Sequence, residues 1–166
     1  VAKGKGGGGQ EFDVIPGKEF KRVADALRVV DTTLPAKFRK ELKAAAKPLV
    51  AAAKANAKNI QVKTPDQRAL RRKVAAGVAV QVSTGRTARI RIVTKMTEPS
   101  MAVIPRGLES SKGWRHPVFG HDIWVTQKPE QHWFMTAMQE GKSETMERIR
   151  KVIEEAAKFI ASHGGA

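Results

Sequence analysis

Between residues 34 and 58 the chain reads LPAKFRKELKAAAKPLVAAAKANAK, and no other stretch restricts its fold as strongly. At about 100° per residue, Leu34, Phe38, Leu42, Ala45, Leu49, Ala52 and Asn56 fall within about 80° of one another on a helical projection. Lys40, Lys43, Lys47, Lys54 and Lys58 fall within about 60° on the opposite side. A segment of this kind predicts a long helix with one buried face and one cationic face. The buried face is alanine-rich, so a partner element can approach it closely. Pro48 interrupts the pattern: it lacks an N–H and its ring crowds the carbonyl of Ala44, which predicts a kink or break there. Glu41 alone offsets the lysines between 36 and 58, whereas a helix face kept merely soluble more often mixes signs.

The remaining elements follow from their periods. KEFKRVADALRVV at 18–30 repeats apolar residues every three or four positions and predicts a shorter helix, ended by DTT at 31–33. DQRALRRK at 66–73 reads as a short basic helix. VAAGVAVQVS at 74–83 and TARIRIVT at 87–94 alternate around the turn STGR, which predicts an antiparallel hairpin with Arg89 and Arg91 on its solvent face. Residues 95–130 carry four prolines and read as irregular, with DIWVTQ at 122–127 as one candidate strand. A helix is expected from about 131 to 162, with Gly141 as a point of division. The glycine-rich start predicts a flexible arm over 1–17, one domain over 18–163 and a tail over 164–166. The fold class is therefore α+β: a small, mainly antiparallel sheet packed by a long N-terminal helix and a C-terminal helix.

Composition narrows the chemistry. The 166 residues include no cysteine, so disulfides, thiolate nucleophiles and cysteine-ligated zinc are excluded. No run of 18 apolar residues is present to span a membrane, and the first residues lack an apolar signal core. The net charge of +15 is uneven, with 22 Lys/Arg against 8 Asp/Glu in residues 1–100 and 9 against 8 thereafter. Such asymmetry points to a polyanion or an acidic protein surface as partner. His116, His121, His132 and Asp122 hold no metal-ligand spacing on one regular element. Ser110 and Ser111 have no recognisable base nearby. Glu98, Glu109, Asp122 and Glu130 form no recognisable pair. The expectation is a protein without catalytic residues, metal or cofactor. Helix-turn-helix and zinc-finger patterns are absent, which leaves sequence-blind attraction to phosphates or an acidic protein partner.

GWRHPVFGH at 113–121 concentrates aromatic and cationic residues around one proline between two glycines. Pro117 restricts this loop and the glycines permit sharp turns, so its aromatics dock either on the domain's own core or on another subunit. DQRALRRKVAAGVAVQVSTGRTARIRIVT, then GWRHPVFGH, then WVTQKPEQHWFMTAMQE, together resemble the tail-component family of long-tailed bacteriophages, the tail-completion or neck proteins, in their actinobacterial-phage form. The resemblance covers about residues 66–160, with HPVFG and WFMTAM in the two motif positions. The chain departs from the family pattern in its glycine arm and in lacking the proline often found near WFMTAM. The resemblance implies a structural virion protein at the head–tail junction, assembled in the host cytoplasm as a ring of six subunits. Adjacent head-completion and tail proteins would be its neighbours, and double-stranded DNA would pass non-specifically through the lumen. It implies that Lys40, Lys43, Lys47, Lys54, Lys58, Arg89 and Arg91 face DNA or an acidic partner. Trp114, Arg115, His116, Pro117, Phe119, Trp124, Trp133 and Phe134 become the subunit-interface or docking residues. Alternatives are a tail terminator capping the tail tube and a sequence-nonspecific nucleic-acid-binding protein.

Overall fold

The first helices form where the apolar period is strongest. A computed structural model describes residues 9–16, 18–61, 65–84, 88–117, 122–128 and 131–163. Helix α1 (Lys18–Val30) buries Phe20, Val23, Ala24 and Leu27. The Asp31 Oδ1 then accepts the Thr33 N–H at 2.6 Å, an Asx turn that aims the chain into α2 (Leu34–Ala45). Pro35 occupies the first turn of α2, where a missing N–H costs nothing. The expected long N-terminal helix is not one helix. It ends at Ala45, and α3 (Lys47–Asn59) restarts beyond Ala46, whose φ of −89° and ψ of −2° depart from regular helix values although its N–H still bonds the Leu42 carbonyl. The cause is Pro48, which offers no N–H to the Ala44 carbonyl. The predicted inward face holds at Phe38, Leu42 and Leu49, which are buried, but beyond the break the buried stripe moves by one residue to Ala46, Ala53 and Ala57, leaving Ala45, Ala52 and Asn56 half-buried.

Helix α4 (Pro65–Ala76) runs further than the basic segment 66–73. Val74 and Ala75, expected in a strand, are instead its buried last turn, because the period there is still helical and β alternation begins only after Gly77. Strands β2 (Val78–Ser83) and β3 (Arg89–Thr94) pair antiparallel with Val78 opposite Thr94 and Ser83 opposite Arg89, as their alternation predicts. The Gly85–Thr87 part of their turn lies outside the described residues.

The arm is shorter than expected. Residues 11–16 of the presumed flexible segment are strand β1 (Glu11–Pro16), which pairs antiparallel with β3 on the side away from β2. The register shifts between Asp13 and Ile15. This irregularity breaks the simple alternation by which the strand would have been recognised. Phe12 lies opposite Ile92 and Val14 is buried, so β1 closes the core. Residues 1–8 lie outside the described residues. Ile90 and Ile92 of β3 are fully buried on the helix-covered face, and Arg89 and Arg91 point to the other.

The proline-rich stretch contains short elements: a 3-10 turn (Pro99–Met101), helix α5 (Ile104–Gly107) and the two-stranded sheet β4 (Trp114–Pro117) and β5 (Trp124–Gln127). Helix α6 (Trp133–His163) is unbroken for 31 residues. Gly141 does not divide it. A Cβ at Gly141 would stand 2.6 Å from Leu49 Cδ1, so this glycine lets α3 and α6 approach closely, helped by Ala53, Ala57 and Ala137, all buried. Helix α6 also packs against α1, α2 and β1. Among the described residues no helix is long and apolar enough to cross a membrane.

Alanine normally gains about 1 kcal/mol over glycine inside a helix. At position 141 the added methyl would overpack buried Leu49, so Gly141→Ala is expected to lose a net ~1–2 kcal/mol in urea unfolding. Combined with Leu49→Ala, the two changes should couple by at least about 1 kcal/mol. Simple additivity would show that α3 and α6 do not meet at this point.

Candidate functional site

Helix α6 begins without a Ser, Thr, Asp or Asn in the residues just before it, PEQH at 129–132. Its first N–H groups still require acceptors. They are supplied from 25 residues upstream: Glu109 Oε2 accepts the Phe134 N–H and Oε1 accepts the Met135 N–H, each at 2.9 Å. His132 Nδ1 donates to the Glu109 carbonyl oxygen at 2.8 Å, and lies 3.6 Å from Glu109 Oε1. The chain leaving α5 and the chain entering α6 are thereby clamped together. The described residues between them, 110–117 and 122–128, form an excursion from a closed root.

That excursion carries the β4–β5 hairpin, with Trp114 opposite Gln127 and Pro117 opposite Trp124. Trp114 is half-buried and seats its ring on Gly107, where a Cβ would stand 2.6 Å from the ring carbons. Gly113, at φ +83°, makes the bend into β4. On the same hairpin face His116 stacks on Trp114, with ring centres 4.3 Å apart. On the opposite face Arg115 lies over the Trp124 ring, 5.4 Å from its centre. Beyond the root the hairpin is uncovered. Ile123, Trp124 and Val125 are 61%, 55% and 37% exposed, three consecutive large apolar residues in water.

The residues grouped by sequence therefore separate. Trp114, Arg115, His116, Pro117 and Trp124 are brought together on the hairpin. Trp133 and Phe134 are buried in this chain's own core, in an edge-to-face pair 5.4 Å apart, and are not surface anchors. Phe119 and His121 lie outside the described residues.

The cationic residues separate as well. Lys43 of α2 joins Arg89 and Arg91 of β3 around a trough of about 330 Å³, completed by Val80, Gln81, Val82 and Ser83 of β2. Arg91 donates to Glu11 Oε2 at 2.7 Å and reaches Gln81 Oε1 at 3.5 Å. The end of β2 is tied down by Arg28, which donates to the Thr84 carbonyl at 3.1 Å, and by Arg39, 3.4 Å from Thr84 Oγ1. Lys40, Lys47 and Lys58 are exposed on α2 and α3, and Lys54 is half-buried. None of these five lysines forms an ion pair among the described residues. Arg71, within the segment read as a short basic helix, is fully buried in α4, and burial lowers its pKa.

Among the described residues no group of His, Asp and Glu is placed to hold a metal ion. Comparison of the chain with protein-family models, curated proteins and solved structures finds no match. Glu109 is the site residue that sequence reasoning passed over. Its signal is negative: an amphipathic helix with no local N-cap must take its acceptor from elsewhere in the chain.

Burial raises the Glu109 carboxyl above its ordinary value near 4.5, and the Phe134 and Met135 N–H groups and His132 counter this only in part. A carboxyl held above its unfolded value contributes stability that is complete below about pH 4.5 and is lost as pH rises through the raised value. Glu109→Gln removes one of the two acceptors and is expected to cost ~1–2 kcal/mol near neutrality. The deficit relative to the parent, measured by urea unfolding, should be larger at pH 4 than at pH 7. A deficit that shrinks on acidification would mean that attraction between the carboxylate and the helix terminus outweighs burial.

Proposed function

We propose that this chain is a structural protein of the head–tail junction of a long-tailed bacteriophage, a neck or tail-completion subunit that forms a ring around the DNA channel. The observation that carries this reading is the β4–β5 hairpin, rigidly rooted at Glu109 and Trp114 yet ending in exposed Ile123, Trp124 and Val125. An isolated two-stranded hairpin gains little stability in water, and large apolar side chains exposed on both faces of one mark it as an element a partner would cover. It lies within the segment whose wording resembles the tail-component family. A ring subunit needs such an element to grip its neighbour, and large aromatics supply most contact area per residue.

The exposed lysines of α2 and α3 fit the same reading. Double-stranded DNA presents a dense line of phosphates. Lys40, Lys47 and Lys58, spread over two helices and without acidic partners among the described residues, would offset that charge without gripping a base. DNA would then still slide past them.

Two measurements test the proposal. Gold-labelled antibody against this chain is expected to mark the neck of purified particles in electron microscopy, and label confined to the tail-tube end would favour the terminator role instead. Trp124→Glu is expected to leave the thermal midpoint within about 2 °C of the parent, because the side chain is exposed. The same change should abolish subunit assembly in sedimentation. Unchanged assembly, or a parent chain that is absent from particles and binds DNA tightly as a monomer, overturns the reading.

A further inference from the structure

The trough beside β2 opens on the solvent face of the sheet, where Gln81 and Ser83 stand opposite Arg91 and Arg89, and reaches the outer edge of the strand. The order of the main sheet is β1-β3-β2, so among the described residues β2 has a strand neighbour on one side only. The trough is lined by Val80, Gln81, Val82 and Ser83 in succession, residues that alternate between the two faces. Val80 and Val82 turn their side chains toward the core, so a cavity on the other face meets them only where it reaches the strand's outer edge.

The ladder shows which main-chain groups face it. The Lys95 N–H donates to the Gly77 carbonyl at 2.9 Å, and the register places Gly77 opposite Lys95. In an antiparallel pair, residues alternate between bonding the partner strand and pointing away. Gly77, Ala79, Gln81 and Ser83 therefore bond β3, and Val78, Val80 and Val82 turn their N–H and C=O groups outward. On the far side of β3 the Thr94 N–H bonds Gln10, which fits the same alternation. Val78 is buried by the body, whereas Val80 and Val82 are half-exposed. Neither valine enters any backbone hydrogen bond outside the regular elements among the described residues.

We propose that this edge takes an extended acidic segment of another protein, added as a fourth strand beside Val80 and Val82 and held by Lys43, Arg89 and Arg91. Main-chain bonds to the two valines supply affinity and register. The cations supply selectivity: carboxylates on alternate residues of the guest lie on the same face as Arg89 and Arg91. Lys43 and Arg89 form no ion pair among the described residues and are free to meet them. A second copy of this chain is a poor occupant, because the chain carries +15 and its glycine arm is itself cationic. DNA is a poor occupant for a different reason. A phosphodiester is an acceptor only, and would leave the Val80 and Val82 carbonyls without donors. The inference does not depend on the chain's being a virion protein.

The test uses the full chain and two probes, a short peptide alternating Thr and Glu and a short duplex DNA. The peptide is expected to bind, to weaken with salt, and to slow amide exchange at Val80 and Val82 specifically. Val82→Pro removes an N–H that points away from β3, so the parent sheet stays intact while the guest loses a donor. That variant should keep its circular dichroism spectrum and bind the peptide at least about tenfold more weakly. Should it fail to fold, Lys43→Glu with Arg89→Glu is the second variant, expected to reject the Glu peptide and accept its Lys counterpart. Three results overturn the proposal: no peptide binding, peptide binding without protection of Val80 and Val82, or competition by duplex DNA at equal strength, which would make the trough a site for polyanions in general.

Discussion

The position of the β4–β5 hairpin depends on one buried carboxyl group. Glu109 closes the N-terminus of α6 by accepting from Phe134 and Met135, and His132 ties back to the Glu109 carbonyl. A helix terminus with unmet N–H groups is costly when buried, so the sequence must bring an acceptor to it. Bringing that acceptor from the end of α5 has a second effect: it joins the two stems of the excursion that carries β4 and β5. The hairpin is then a lever on a fixed pivot, and Trp114, seated on Gly107, is the bearing. Behind the pivot, α6 is held to α3 by small residues and Gly141, and the sheet is covered by the helices.

The surface divides into two chemically different regions. The hairpin offers apolar area with one cation, Arg115, already resting on Trp124. The helices and the β2 edge offer charge with little apolar area. A protein that binds one kind of partner needs only one such region. A subunit placed between copies of itself, other proteins and a polyanion has use for both. The burial of Arg71 sharpens this division, since part of the formal positive charge never reaches the surface.

Much of the fold was legible because its signals are local. The opposed faces of 34–58, the break forced by Pro48 and the β2–β3 alternation all follow from neighbouring residues. Three features were not legible because their cause is distant. Strand β1 is disguised by the irregularity at Asp13–Ile15 and becomes a strand only because β3 has an open side. Gly141 looks like a breaker until Leu49 is brought against it. Glu109 looks like one loop carboxylate among several until α6 is seen to lack a cap. Of the candidate site, Trp114, Arg115, His116 and Pro117 share one hairpin strand, whereas Trp133 and Phe134, placed in the same group for their chemistry, belong to the core. Lys43, Arg89 and Arg91 were selected for charge alone, and nothing local placed them around one strand edge.

Amide hydrogen exchange over Trp114–Pro117 and Trp124–Gln127, compared between the dilute free chain and the chain in intact particles, tests most directly whether the hairpin is the element that grips a neighbour. The expected result is fast exchange there in the free chain and strong protection in the particle, with α3 and the centre of α6 slow in both. Equal exchange of the hairpin in the two states would contradict it.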